Sequence, residues 1–204
     1  DILNKTDADV AFYILSRVAG EGKDRRNSEG DYTLTGAERQ QLSDICANYA
    51  HVAVAVNTGG PVDLSFLDEY PNIEALLYIV QPGMEGGNAF ADVVSGAVSP
   101  SGKLTGSLAY EYEDYPNSAT FSGNNGDVEQ EFYTEGIYVG YRYFDTFDVP
   151  VRYGFGFGLS YTDFLTDFVS VRWDDEKKSF IFTVKITNVG KVYSGREVAE
   201  LYVT

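Results

Sequence analysis

Apolar residues in the first 81 positions of the chain fall into three short, nearly unbroken runs: DVAFYIL at 9–15, HVAVAVN at 51–57 and ALLYIVQ at 75–81. Runs of this length and content are the pattern of strands buried on both faces. Between the first two, TGAERQQLSDICANYA places Leu42, Ile45, Cys46 and Tyr49 at helical spacing. Thr35 followed by Glu38 fits a capping box at its start. LSFLDEY (64–70) separates the second and third runs, and EGGNAFADVVSG (85–96) follows the third. Strands alternating with helices predict an α/β fold, a partial doubly wound, mostly parallel sheet with flanking helices. Three strands make a thin sheet and the first begins almost at residue 1, so the N-terminal part of this domain is expected to lie upstream.

Beyond the third run the pattern changes twice. Residues 111–131, EYEDYPNSATFSGNNGDVEQE, are polar and acidic and read as a long surface loop. Then come the aromatic FYTEGIYVGYRYFDTF (132–147) and the glycine-rich VRYGFGFGLSYTDF (151–164). From residue 167 the period becomes two: SFIFTVKITN alternates Phe180, Phe182, Val184 and Ile186 with polar positions, and REVAELYV continues in the same style. The expected division is therefore 1–166 for the α/β domain with its aromatic and glycine-rich connection, and 167–204 for the opening of a β-sandwich.

Charge narrows the partners. Thirty-one acidic residues against 15 basic ones give a net charge of -16, which repels a phosphate backbone and an anionic membrane surface. Neither nucleic acid nor a membrane is an expected partner. Neutral sugars carry no such penalty, and 16 Tyr with 13 Phe supply rings on which a pyranose could stack, although most rings of a folded domain are core. The lone Cys46 cannot close an internal disulfide and gives no sign of an oxidising compartment. His51 has no partner histidine, and no cofactor or metal site is assigned. Asp127, Glu129 and Glu131 read as solvated charge, with calcium a remote alternative.

In a wound sheet, functional loops gather where the chain leaves the carboxyl ends of the strands. SRVAGEGKDRR (16–26), TGGPVDL (58–64) and PGMEGG (82–87) all occupy that position. On composition alone Glu21, between Gly20 and Gly22, reads as a surface carboxylate pairing with Lys23 or Arg25. The glycines of PGMEGG fit either an anion at a helix N-terminus or close helix packing. A dinucleotide loop needs a strand before it and a helix after it, but GFGFG is followed by LSYTDF, which continues as extended chain.

Several stretches together resemble the C-terminal half of glycoside hydrolase family three, the β-glucosidase and β-xylosidase family. They are SRVAGEGKDR, NTGGPVDL, QPGMEGGNAFADVVSGAVSPSGKL, YTEGIYVGYRYFD and GFGFGLSYTDF, in order over nearly the whole chain. The tail, with ITNVG and GREVAELYV, resembles the start of a fibronectin type III-like domain. Thr105 and Phe157 depart from residues commoner in the family and bear on fine substrate preference.

The resemblance implies a retaining, exo-acting β-glucosidase type of hydrolase acting on a β-glucoside or related oligosaccharide. It also implies that Glu21 is the acid/base, while the aspartate nucleophile lies on a barrel domain whose motifs this chain does not contain. The chain alone is then expected to be inactive. Asp24 and Arg25 are expected to brace the loop through an ion pair or a backbone contact, with substrate proximity as the alternative. Glu135 and Arg142 sit in an aromatic segment that must pack, so a buried or interfacial pair is expected of them, with a sugar contact as the alternative. The competing reading makes the chain a non-catalytic structural or carbohydrate-binding scaffold.

Overall fold

The computed structural model describes residues 7–18, 24–121, 129–130 and 132–202. The three apolar runs form a parallel sheet of β1 (Val10–Ser16), β2 (His51–Asn57) and β3 (Ile73–Tyr78), in the order β1-β2-β3. β2 is central, and Val52 to Val56 are all buried, which is why its run shows no polar alternation. β1 departs from the expectation of burial on both faces. Tyr13 and Leu15 are buried, but Val10, Phe12 and Ile14 are exposed, because β1 is an edge strand covered on one face among the described residues. β3 ends before the run ALLYIVQ does: Val80 takes φ 54°, a left-handed conformation that a β-branched residue adopts only off a regular ladder.

α1 (Gly36–Asn48) crosses from β1 to β2 and packs against both. Its capping box is formed, with Glu38 N donating to Thr35 Oγ1 at 3.2 Å and Thr35 N donating to Glu38 Oε2 at 2.8 Å. Such a cap is worth about 1 kcal/mol. Leu42 is fully buried, a contribution of roughly 1.5–3 kcal/mol. The short α2 (Phe66–Glu69) inserts Phe66, 1% exposed, between β2 and β3 in sequence. α3 (Gly86–Val94) follows β3. A side chain at Gly86 would overlap the Pro82 ring, so close packing accounts for this glycine of PGMEGG.

β4 (Leu108–Ala109) pairs antiparallel with β5 (Val151–Tyr153). The acidic segment between them holds a 3₁₀ turn at Tyr112–Asp114, and the aromatic segment supplies α4 (Tyr141–Thr146). Two compact units result, interleaved along the chain. One comprises Asp1–Gly86 with Ser107–Tyr153, the other Gly87–Gly106 with Gly154–Thr204. No helix among the described residues is long and apolar enough to cross a membrane.

In the second unit the glycine-rich segment closes on the SGKL turn. Leu104 N donates to Phe157 O and Gly156 N to Leu104 O, both at 2.8 Å, and Lys103 Nζ donates to Gly158 O at 2.7 Å. A Cβ at Gly158 would collide with the Gly102 carbonyl, so glycine is required there. β6 (Phe164–Asp174) and β7 (Ser179–Asn188) form an antiparallel hairpin. Val169 is a bulge in this ladder, since Phe168 faces Val184 and Ser170 faces Thr183. The bulge rephases β6 so that Phe168, Val171 and Trp173 share the face of Val184, Phe182 and Phe180. Residues 196–202, expected to continue as strand, join no ladder among the described residues. An apolar alternation does not make a strand until a neighbour accepts its backbone hydrogen bonds.

Candidate functional site

Glu21, the candidate acid/base, lies outside the described residues, as do Lys23, Asp127 and Glu131. Both stems of its loop are described. Arg17 extends the β1–β2 pairing by one step, its amide donating to Asn57 O at 3.0 Å. Because the strands are parallel, the chain leaves β1 and β2 at the same edge of the sheet, and the stems 16–18 and 24–26 become neighbours of 57–64.

Arg25 joins them. Its guanidinium donates from Nε to Asp31 Oδ1 at 2.7 Å, and from Nη1 to Thr58 Oγ1 at 2.9 Å and Pro61 O at 2.8 Å. Its Nη2 donates to Asp31 O. Thr58 is fully buried and also donates from Oγ1 to Gly60 O at 3.2 Å. Tyr78, at the end of β3, donates its hydroxyl to the same Gly60 O at 2.7 Å. Burial pushes the Tyr78 phenol up to about 12, with a smaller raising effect from Tyr115 and an opposing one from Arg25. Asp24 is exposed, and no described residue pairs with it.

The Arg17 guanidinium, in the first loop stem, is committed within the domain. It donates from Nη1 and Nη2 to the two carboxylate oxygens of Glu38, at 2.7 and 2.9 Å. It also donates to the carbonyls of Ser16, Thr33 and Asp31. The Arg17 side chain is 6% exposed and that of Glu38 22%. Burial alone would raise the Glu38 carboxyl. The bonds from Arg17 and Thr35, with the Arg17 charge, outweigh it and hold Glu38 below the ordinary glutamate value. Glu38 thus serves the helix cap and the first loop stem together.

Beside this region runs a row of rings. Tyr32 meets Tyr112 edge-on at 5.2 Å, Tyr112 meets Tyr115 at 6.5 Å, and Tyr115 meets Phe144 at 5.9 Å. Tyr143, Phe147 and Tyr138 continue it. Burial, together with Tyr115 and the carboxylates of Asp63, Glu111 and Glu113, pushes the Tyr32 phenol far up. The row is buried at Tyr32 and Phe144 and exposed at Phe147 and Tyr138, so core and surface share it. Glu135 and Arg142 do not pair with each other. Glu135 accepts from Asn117 Nδ2, and Arg142 lies over the ring of its neighbour Tyr141 at 5.7 Å.

Sequence reasoning missed Asp31, Thr58 and the Arg17–Glu38 pair. Thr58 carried a signal, a hydroxyl at the first position after a buried strand. Asp31 carried none, standing in a polar turn where any acidic residue is unremarked. Among the described residues no group of His, Cys, Asp and Glu could hold a metal ion.

Residues 2–141 match the family model described as glycosyl hydrolase family 3 C-terminal domain. A beta-glucosidase of Ruminococcus albus is 39% identical over 196 residues, covering 96% of this chain and 20% of that protein. Beta-glucosidase A of Butyrivibrio fibrisolvens is 37% identical, covering 96% of this chain and 28% of its own length. The crystal structure of a beta-glucosidase from Paenibacillus barengoltzii superposes with a TM-score of 0.84 at 39% identity, over 92% of this chain and 20% of that one. Beta-glucosidase 3B from Thermotoga neapolitana, in complex with alpha-D-glucose, gives 0.80 at 34% identity, over 93% and 26%. The chain therefore spans a fifth to little more than a quarter of these relatives.

Proposed function

The chain belongs to glycosyl hydrolase family 3, whose C-terminal domain it matches, and from that membership we propose that it is the accessory domain of a retaining, exo-acting β-glucosidase. The enzyme would remove terminal non-reducing β-D-glucosyl residues. Glu21 would be its acid/base, and the nucleophile would stand on a barrel domain outside this chain. From residue 167 the amphipathic β6–β7 hairpin would open a fibronectin type III-like domain.

The supporting observation is the placement of the two loop stems. Arg17, through its amide on Asn57 O, and Arg25, through Thr58 Oγ1 and Pro61 O, fasten them to the carboxyl edge of the sheet, where a wound fold presents its working loops. Retaining cleavage needs two carboxyl groups roughly 5–5.5 Å apart. One attacks the anomeric carbon as the glycosidic bond breaks, and the other delivers its proton to the departing oxygen. The second carboxylate then takes a proton from water as that water attacks the glycosyl ester, releasing glucose and regenerating both groups. A carboxyl between two glycines can be carried toward a neighbouring domain with little steric restriction. Arg25 would brace that loop and not bind sugar, since every Arg25 donor nitrogen already has an acceptor within the domain.

The test uses the complete enzyme. Glu21→Ala should slow cleavage of glucosides with poor leaving groups far more than that of activated aryl glucosides, and azide should partly restore turnover. Equal loss on both substrates without rescue would remove Glu21 from the role. The isolated chain, supplying one carboxyl of two, should release no aryl group. A sugar bound by it far from residue 21 would favour the scaffold reading.

A further inference from the structure

The two guanidinium groups on either side of residues 19–23 converge on one backbone atom. Arg17 Nε donates to the carbonyl oxygen of Asp31 at 2.8 Å, and Arg25 Nη2 donates to the same oxygen. The Asp31 carboxylate then holds the second stem twice more, Oδ1 accepting Arg25 Nε at 2.7 Å and Oδ2 accepting the Arg26 amide at 2.8 Å. The first stem is tied in turn to α1 through Glu38, and the second to the end of β2 through Thr58.

Eight residues of extended chain could separate these stems by roughly 26 Å. Hydrogen-bonded to one oxygen, the two donor nitrogens can stand no more than about 6 Å apart. Two guanidinium groups that close repel each other in a partly buried setting, and Asp31 and Glu38 supply the two carboxylates that balance them.

We infer that Asp31 is a positioning residue of the acid/base loop, the common anchor that sets the separation and direction of both stems. This inference rests on the reading of Glu21 as the acid/base. A proton donor must stand within about 0.5 Å and 10–20° of its productive place, and a displacement near 1 Å costs about 100-fold in rate. Asp31→Asn removes one of the two balancing charges and turns an amide donor toward either Arg25 or the Arg26 N–H. Thr58→Val keeps the volume of that buried side chain and removes the hydroxyl that Arg25 Nη1 reaches.

The experiment compares Asp31→Asn, Thr58→Val and Glu21→Ala in the complete enzyme, with rates normalised to active sites by burst titration. Each is assayed on an alkyl β-glucoside and on 2,4-dinitrophenyl β-glucoside, whose leaving group needs no proton. For Asp31→Asn, kcat/KM, which reports the step that needs the proton donor, should fall about 10- to 100-fold on the alkyl glucoside, against less than about 3-fold on the activated substrate. Thr58→Val should show the same asymmetry, smaller in size, and it carries the test if Asp31→Asn does not fold. Equal losses on both substrates would mean a structural role only and would overturn the inference, as would no loss in either variant. If Glu21→Ala shows the asymmetry and the other two do not, the anchor alone is wrong. If Glu21→Ala itself loses both activities equally, the acid/base reading falls and the inference falls with it.

Discussion

Removing the Arg17 side chain should loosen the start of α1 and the end of β1 together. In Arg17→Met the Glu38 carboxylate loses two charge-assisted bonds, of 2.7 and 2.9 Å, and three carbonyls lose a donor. Taking one partner from a buried ion pair costs about 3–5 kcal/mol. Glu38 retains 22% side-chain exposure and keeps the Thr35 amide, so water and the cap recover part of this. The expected loss is about 2–4 kcal/mol. The assay is native-state amide exchange of β1 and α1 in the complete enzyme at neutral pH, where this loss means roughly 30- to 700-fold faster exchange. The pair should also carry a pH signature. Glu38 titrates below its ordinary value of 4.5 in the fold, so its contribution is full above that value and is lost as pH falls through the lower, folded value. Wild type and Arg17→Met should therefore converge in acid. An acceleration of less than about 3-fold at neutral pH would show that the pair acts like an exposed one, and the reasoning from burial would be wrong.

Three further outcomes follow from particular contacts. Gly158→Ala places a Cβ against the Gly102 carbonyl and within 3.1 Å of the Lys103 side chain. It should cost about 1–3 kcal/mol, read as faster exchange confined to residues 102–104 and 156–158. Deleting Val169 removes a bulge and leaves Phe168, Val171 and Trp173 on their present face, so exchange protection of β6 and β7 should persist, whereas a register flip would abolish it. Tyr78 ionises in the fold only near 12, against an ordinary value of 10.0. The stability it adds is full below the ordinary value and is lost as pH rises between the two. Tyr78→Phe should therefore reduce the late phase of phenolate absorbance and shift alkaline unfolding upward, and an unchanged titration would contradict the burial of that hydroxyl.

The sequence by itself determined the parts of this protein whose information is local. The unbroken run of β2, the capping box of Thr35 and Glu38, and the alternation of β7 are all readable because period and cap chemistry depend on residues a few positions apart. The ordered motifs likewise pointed to the family, and the glutamate between glycines was visible as a candidate. What tertiary structure decided depends on residues brought together from distant positions. The exposure of alternate residues in β1 follows from its place at the sheet edge, which no run of residues encodes. The early end of β3 at Tyr78, the bulge at Val169 and the lack of a ladder at 196–202 among the described residues are likewise set by pairing between segments. Arg17 and Glu38 are 21 positions apart, and Arg25 and Thr58 are 33 apart. Their meeting follows only from two parallel strands ending at one edge. Asp31 could not be singled out before that, because an acidic residue in a polar turn is unremarked, and only the fold sets its carboxylate against Arg25 and the Arg26 amide and its carbonyl against two arginines.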